Sequence, residues 1–346
     1  MVEVSKRDIR KLKLDELKQF FTEQGEKAFR AQQVYEWLWH KSAKDFDQMT
    51  NLSLPVREML KTNFSINHIK VDKMQRSADG TIKNAVMLHD GLIVESVLIP
   101  TEKRITACVS SQVGCSLACK FCATARLKRM RNLNPDEIYD QVVAIKEQAE
   151  LFFNRPLTNI VFMGMGEPLL NYNNVLDAIH KITDQKGLGM AWKRITVSTV
   201  GVAKMIRKIA DDKVKFNLAV SLHSAINETR SSIMPINDST PLEELADALK
   251  HWYQNTKRKV TYEYVVWKGI NDKKEDALAL LKFAKIIPSK VNLIEYNSID
   301  DPAFQQATPE SLRMYQEILE AEGITTRIRI SRGKDIDAAC GQLANK

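Results

Sequence analysis

The 346-residue chain has no run of about 18 apolar residues, so no segment of it reads as a membrane-spanning helix. Its start, MVEVSKRDIRKLKL, is charged from residue 3 onward, which leaves no room for an apolar secretory segment there. No internal repeat and no low-complexity tract is present, which excludes a repeat architecture. Cysteine is scarce: there are five, and three of them fall in one short stretch, VGCSLACKFCATA, from Val113 to Ala125. A cytoplasmic location is the expectation, and in that reducing compartment an odd, clustered set of thiols points to a metal or redox site rather than to disulfides.

What the chain does contain is ordinary for a large globular protein, with 44% hydrophobic and 27% charged residues. Its formal net charge of +8 fits a phosphate-bearing partner, and the excess is local. Between Thr101 and Pro135 seven basic residues stand against the single acid Glu102. A charged run alone reads as a solvated face, but this one flanks the cysteines, which favours a footprint for nucleic acid.

The first 64 residues read as short helices. Leu14, Leu17, Phe20 and Phe21 recur at helical spacing, as do Val34, Trp37 and Leu38. Ser53 is a candidate N-cap with Pro55 in the first turn, and Trp37 and Trp39 are expected in the core. From residue 65 to 100 the pattern changes to strands broken by Asp79-Gly80 and Asp90-Gly91, an antiparallel meander. Beyond residue 100 six strand candidates (ITACVSS, NIVFMG, RITVST, NLAVSL, VTYEYVV and KVNLIEYN) alternate with amphipathic runs over 135–153, 172–186, 202–212, 241–255 and 274–285. This alternation implies an α/β fold with parallel pairing, either an open doubly wound sheet or a partial (β/α)6 barrel. Polar residues at the C-terminal ends of several strands favour the barrel.

Cys115, Cys119 and Cys122 follow the first barrel strand. Structural zinc usually takes four ligands, and no second cysteine pair is present. Three thiolates can instead hold three irons of a 4Fe–4S cluster and leave the fourth open to a small molecule. The C-x3-C-x2-C spacing in this position resembles that of the radical S-adenosylmethionine (SAM) superfamily, whose open iron takes the amino and carboxylate groups of SAM. NIVFMGMGEPLL then resembles the glycine-rich stretch that holds the SAM amino group, with Gly166 and Glu167 the residues concerned. Ser198, Ser221, Leu222, His223 and Asn297 fall at the same ends of successive strands. Each suits an ordinary strand end as well as a shared ligand.

Glu95, in GLIVESVLIP, shares a strand face with Ile93, Val97 and Ile99. It is a candidate proton acceptor if that face is covered, and an edge-strand surface residue if it is not. Cys108 alternates with Thr106 and Ser110 on a more polar face. Cys340 is set among Ala338, Ala339 and Gly341 near the end of the chain. A lone cysteine is commonly a small buried hydrophobe.

Together, CVSSQVGCSLACKFCATA, FMGMGEPLLN, MPIND and DIDAACGQL resemble the RlmN/Cfr family, the dual-cysteine radical SAM methyltransferases of ribosomal RNA. The resemblance runs from about residue 95 to 343. It implies a helical accessory RNA-binding domain over 1–64, a β extension over 65–100, a radical SAM partial barrel over 101–335 and a tail over 336–346. It implies Cys115, Cys119 and Cys122 as cluster ligands, and Gly166, Glu167, Ser198, Ser221, Leu222, His223 and Asn297 as SAM contacts. Cys340 is implied as methyl carrier, Cys108 as the thiol that resolves the RNA adduct and Glu95 as the base, with two SAM consumed per turnover. The implied partners are 23S rRNA, tRNA and a flavodoxin- or ferredoxin-type reductant, for a monomeric enzyme with no membrane association. GMGEPLLN and IDAACGQLA are closer to the branch that methylates adenine C2 than to the resistance-conferring C8 branch. Readings from other classes are a different radical SAM enzyme and a zinc-stabilised RNA-binding factor.

Overall fold

The computed structural model describes residues 6–345; the first five residues of the charged start and Lys346 of the expected tail lie outside them. α1 (Leu14–Glu23), α2 (Phe29–Trp39) and α3 (Leu54–Asn63) bury Leu17, Phe21, Val34, Leu38 and Leu60 in one core. Two short strands, β1 (Arg7–Asp8) and β2 (Phe64–Ser65), pair in parallel and bring the ends of this module together. Ser53 takes the N-cap position of α3 with Pro55 in its first turn, although its side chain makes no capping bond. Trp39 is buried as expected, but Trp37 is only half-buried and donates its indole N–H to Asn51 Oδ1. Trp37 packs against the outside of that core, with Lys41 Nζ 3.7 Å from its ring.

The module is fixed to the remainder of the chain by a buried arginine. Arg10 makes a bidentate bond to Asp140 (2.8 and 2.9 Å) and reaches Asp136 at 3.3 Å. Both carboxylates lie on α4 (Pro135–Phe153), whose start is set by an Asn134–Glu137 capping box with Pro135 in the first turn. Trp39 packs edge-on against Tyr139 of the same helix, with ring centroids 5.4 Å apart.

A single ten-stranded sheet carries the rest. β3 (Lys70–Arg76), β4 (Ile82–Met87) and β5 (Ile93–Pro100) form the expected meander, turning at Gly80 and Gly91, where φ is positive. β5 then pairs antiparallel with β6 (Ile105–Cys108), so Glu95 stands on an interior strand rather than at an edge. Between β6 and α4, β7 (Gln112–Val113) pairs with β8 (Arg131–Asn132) and pinches the base of the cysteine loop. From β6 onward the pairing is parallel: β9 (Asn159–Phe162), β10 (Ile195–Thr199), β11 (Asn217–Ser221), β12 (Val260–Val265), β13 (Ser289–Ile294) and β14 (Thr325–Arg329) follow in order. The expected six barrel strands are therefore joined by a seventh, β14. Its sequence, TTRIR, gave no apolar signal because it is an edge strand in which only Thr326 is fully buried.

The connections carry α5 (Tyr172–Thr183), α6 (Ala203–Asp211), α7 (Asn227–Ile233), α8 (Ile236–Ser239), α9 (Leu242–Thr256), α10 (Lys274–Ala284) and α11 (Pro309–Ala321). MPIND proves to run into the short α8. No helix among the described residues is long and apolar enough to cross a membrane.

Replacing Arg10 by Met strands Asp8, Asp136 and Asp140 without their cation, which is expected to cost about 3–5 kcal/mol. Burial already lifts Asp136 to about 6 and raises Asp140, with Arg10 opposing in both cases. The loss should therefore be smaller at pH 5, where these carboxyls can take up protons, than at pH 8. Denaturant unfolding at the two pH values measures it.

Candidate active site

The cysteine loop leaves β7 through Gly114, where φ is +72° and an added Cβ would lie 2.3 Å from Lys128 O. Only glycine passes there. Lys120 N–H donates to Ile233 O, and Phe121 packs edge-on against His223 at 4.8 Å, so the loop folds over the ends of β11 and β12. Cys115, Cys119 and Cys122 all line one pocket at this end of the barrel. Burial pushes all three thiols up, most of all Cys119.

The same pocket collects Gly166, Glu167, Ser198, Ser221, His223, Asn297 and Cys340. Gly166 has φ +91°, and a Cβ there would lie 2.4 Å from Gln112 Cβ. Its small size thus serves the packing of this strand end on β7. His223 accepts a bond from Val265 N–H at Nδ1, which leaves the proton on Nε2 as a donor. Burial pulls its pKa down to about 3, with Arg230 adding to the effect, so the ring is neutral. Leu222 is not brought into the pocket. Its side chain is in the core, its N–H donates to Glu263 O, and its carbonyl accepts from Arg230 and Ser224.

Two buried charges stand out because neither has an ionic partner among the described residues. Glu167 accepts from Leu169 N–H (3.0 Å) and Val200 N–H (2.9 Å), and burial raises its carboxyl to about 7. Arg230 donates to Leu222 O, Asn237 Oδ1 and Val200 O, all neutral. Burial lowers it to about 10, with the Cys119 thiolate opposing. A buried charge surrounded only by neutral groups is costly. A ligand that is cationic beside Glu167 and anionic on the thiol side relieves both. That is the charge pattern of a thiolate-bound iron–sulfur cluster carrying the ammonium end of SAM, and the residues present fit the group. Sequence reasoning missed Arg230, because a single arginine in a seven-residue helix carries no pattern.

Cys340 also faces an adjoining cavity lined by Thr106, Cys108, Met163, Glu263 and Arg329. Cys108 is buried, and burial pushes its thiol up to about 12, with Cys340 adding and Arg329 opposing. Glu263 was likewise missed, although one acid inside the apolar run VTYEYVV was a usable signal. It accepts from Asn292 Nδ2 (2.8 Å) and lies 3.6 Å from Arg329. Glu95 lines neither cavity. It is fully buried on β5, 3.3 Å from Lys83 Nζ, with the last residues of the described tail bonded to it.

Comparison with known proteins places this geometry. Residues 7–66 match the ribosomal RNA large subunit methyltransferase N-terminal domain, and residues 109–281 match the radical SAM superfamily. A probable dual-specificity RNA methyltransferase RlmN of Flavobacterium psychrophilum is 68% identical, over 100% of this chain and 99% of its own. The dual-specificity RNA methyltransferase RlmN of Geotalea uraniireducens is 43% identical, over 99% and 98%. The crystal structure of a radical SAM methyltransferase from Sphaerobacter thermophilus superposes with a TM-score of 0.92 at 37% identity, covering 98% of this chain and 100% of that one. The chain belongs to the RlmN family of dual-specificity RNA methyltransferases, within the radical SAM superfamily.

Proposed function

We propose that this protein methylates C2 of an adenosine in the peptidyl-transferase region of 23S rRNA and of the adenosine 3′ of the tRNA anticodon. It acts as a cytoplasmic monomer served by a flavodoxin- or ferredoxin-type reductant. The observation that carries the reading is the position of Cys340. It lies where the pocket of the three clustered thiols meets the cavity that holds Cys108.

In this reading Cys115, Cys119 and Cys122 each hold one iron of the cluster. Glu167 takes the ammonium of SAM, while Gly166, Ser198, Ser221, His223 and Asn297 border the remainder of that molecule. Leu222 contributes from behind, by fixing the backbone that bears His223. When bound, the cluster and two SAM per turnover supply a methyl group and a carbon radical able to take a hydrogen atom.

The chain's own residues perform the transfer. Adenine C2 is an electron-poor amidine carbon, and it does not attack a sulfonium methyl, whereas a thiolate does. Cys340 therefore receives the methyl group, gives up one of its hydrogen atoms to the carbon radical and bonds the remaining carbon to C2, a covalent link to RNA whose surplus electron would return to the bound cluster once the C2 proton is lost. Glu95 accepts the C2 proton. Cys108 attacks the sulfur of Cys340, the electron pair of the carbon–sulfur bond goes to the RNA carbon, which takes up a proton to complete the methyl group, and a Cys108–Cys340 disulfide remains to be reduced. Burial keeps Cys108 a thiol until that stage, with the Arg329 guanidinium as the cation that favours its thiolate.

The target base must leave its stack to reach the barrel mouth. The helical module of residues 1–64 and the basic residues beside the cysteine loop, Lys120, Arg126, Lys128 and Arg129, are proposed to hold its phosphates.

Cys340→Ala is expected to keep the cluster absorbance and yield no methylated RNA; loss of the cluster would assign that cysteine elsewhere. Glu167→Gln removes the charge facing the ammonium and should weaken SAM binding by roughly 10- to 100-fold in equilibrium dialysis. Mass analysis of digested RNA should give 2-methyladenosine; 8-methyladenosine alone would reverse the choice of carbon. A colourless, zinc-containing preparation that cleaves no SAM would overturn the enzyme reading.

A further inference from the structure

The tail that carries Cys340 is held in place by residues from three separate parts of the chain. Ala123 N–H donates to Gly341 O (2.7 Å) and Thr124 Oγ1 to Leu343 O (2.7 Å), both from the cysteine loop. Gln342 Nε2 donates to Ser298 O (2.9 Å), and Asn297 Nδ2 to Cys340 O (3.3 Å). The far end of the tail reaches β5. There Glu95 Oε2 accepts from Ala344 N–H (2.8 Å) and Asn345 N–H (3.1 Å), while Asn345 Nδ2 donates to Ile93 O (2.9 Å).

The Glu95 side chain is fully buried, and so is its cationic neighbour Lys83 on β4, 3% exposed and 3.3 Å from Oε1. Oε1 has no hydrogen-bond partner. Two successive backbone N–H groups on one carboxylate oxygen form a charge-assisted clamp, and the Lys83 ammonium stands beside the other oxygen.

We propose that the buried Lys83–Glu95 pair is the anchor of the C-terminal tail, making both positioning residues for Cys340. This deepens the reading above, on which it rests for the roles of Cys340, Glu95 and Asn297. The anchor and the base are the same carboxylate. A proton captured from adenine C2 removes the charge on which the two amides depend and loosens the tail. Ligands compete for the docked position as well, because Asn297, a residue proposed to border SAM, is bonded to the tail in this state.

The test uses the full chain as purified, without RNA or added SAM, and reads two quantities. One is the hydrogen exchange of residues 343–345; the other is the rate at which iodoacetamide alkylates Cys340, followed by peptide mass. Glu95→Gln and Lys83→Met should raise both by on the order of tenfold or more, with exchange in the sheet unchanged. Lys83→Arg, which keeps the charge, should stay near the parent. Ala344→Pro deletes one of the two amide donors without altering the sheet, so it decides the matter if either buried variant fails to fold. Its Cys340 should alkylate about tenfold faster; a rate within about twofold of the parent overturns the anchor. RNA methylation does not enter these readouts. A tail that responds in a protein that methylates no RNA would sink the proposed function and leave the anchor standing.

Discussion

Two buried charges of opposite sign, kept apart by a single residue, are the constraint on which this site rests. Val200 donates its N–H to Glu167 and accepts Arg230 at its carbonyl. The carboxylate and the guanidinium thus share one backbone unit without neutralising each other. Each is bonded only to neutral groups, so the fold carries a desolvation cost that a ligand with complementary charges offsets. The surrounding structure is built to hold that separation. Arg230 ties the ends of β10 and β11 to Asn237, and Gly166 lets the strand end bearing Glu167 sit against Gln112.

The partial barrel explains how distant parts of the chain meet here. Cys108 closes the first parallel strand, Cys115, Cys119 and Cys122 lie in the loop between β7 and β8, and Cys340 arrives from the last residues of the chain. β14 and β6 do not pair, and the cavity shared by Arg329, Cys108 and Cys340 is lined by residues of β6, β9, β10, β12, β13 and β14. The tail therefore reaches both thiol environments while remaining attached to β5. The meander ahead of the barrel supplies the attachment point, which gives β4 and β5 a part in positioning as well as in the sheet.

Much of this was legible in the sequence, for identifiable reasons. The cysteine spacing, the glycines before Glu167 and the alternation of strands and helices are local patterns. The limits of α4 could be read to the residue because proline, acids and a capping box mark its start. Glu95 and Cys108 were visible as polar residues on strand faces. What escaped carries no local pattern. Arg230, Lys83 and Arg329 are single cations whose partners only the fold brings beside them. β14 is an edge strand without an apolar run, and Trp37, placed in the core by its helical spacing, packs only against the outside of it. Leu222 differs from its neighbours: they line the pocket while its side chain belongs to the core.

The central claim is that the Cys340 sulfur relays a methyl group between a cofactor and RNA across one barrel mouth. The most direct measurement is a pulse of methyl-labelled SAM followed by unlabelled SAM and RNA under anaerobic conditions. Mass analysis then follows the Cys340 peptide and the RNA with time. The account predicts label on Cys340 first, passing into adenine at C2 as it leaves the protein. Labelled RNA formed while Cys340 never carries label would contradict it.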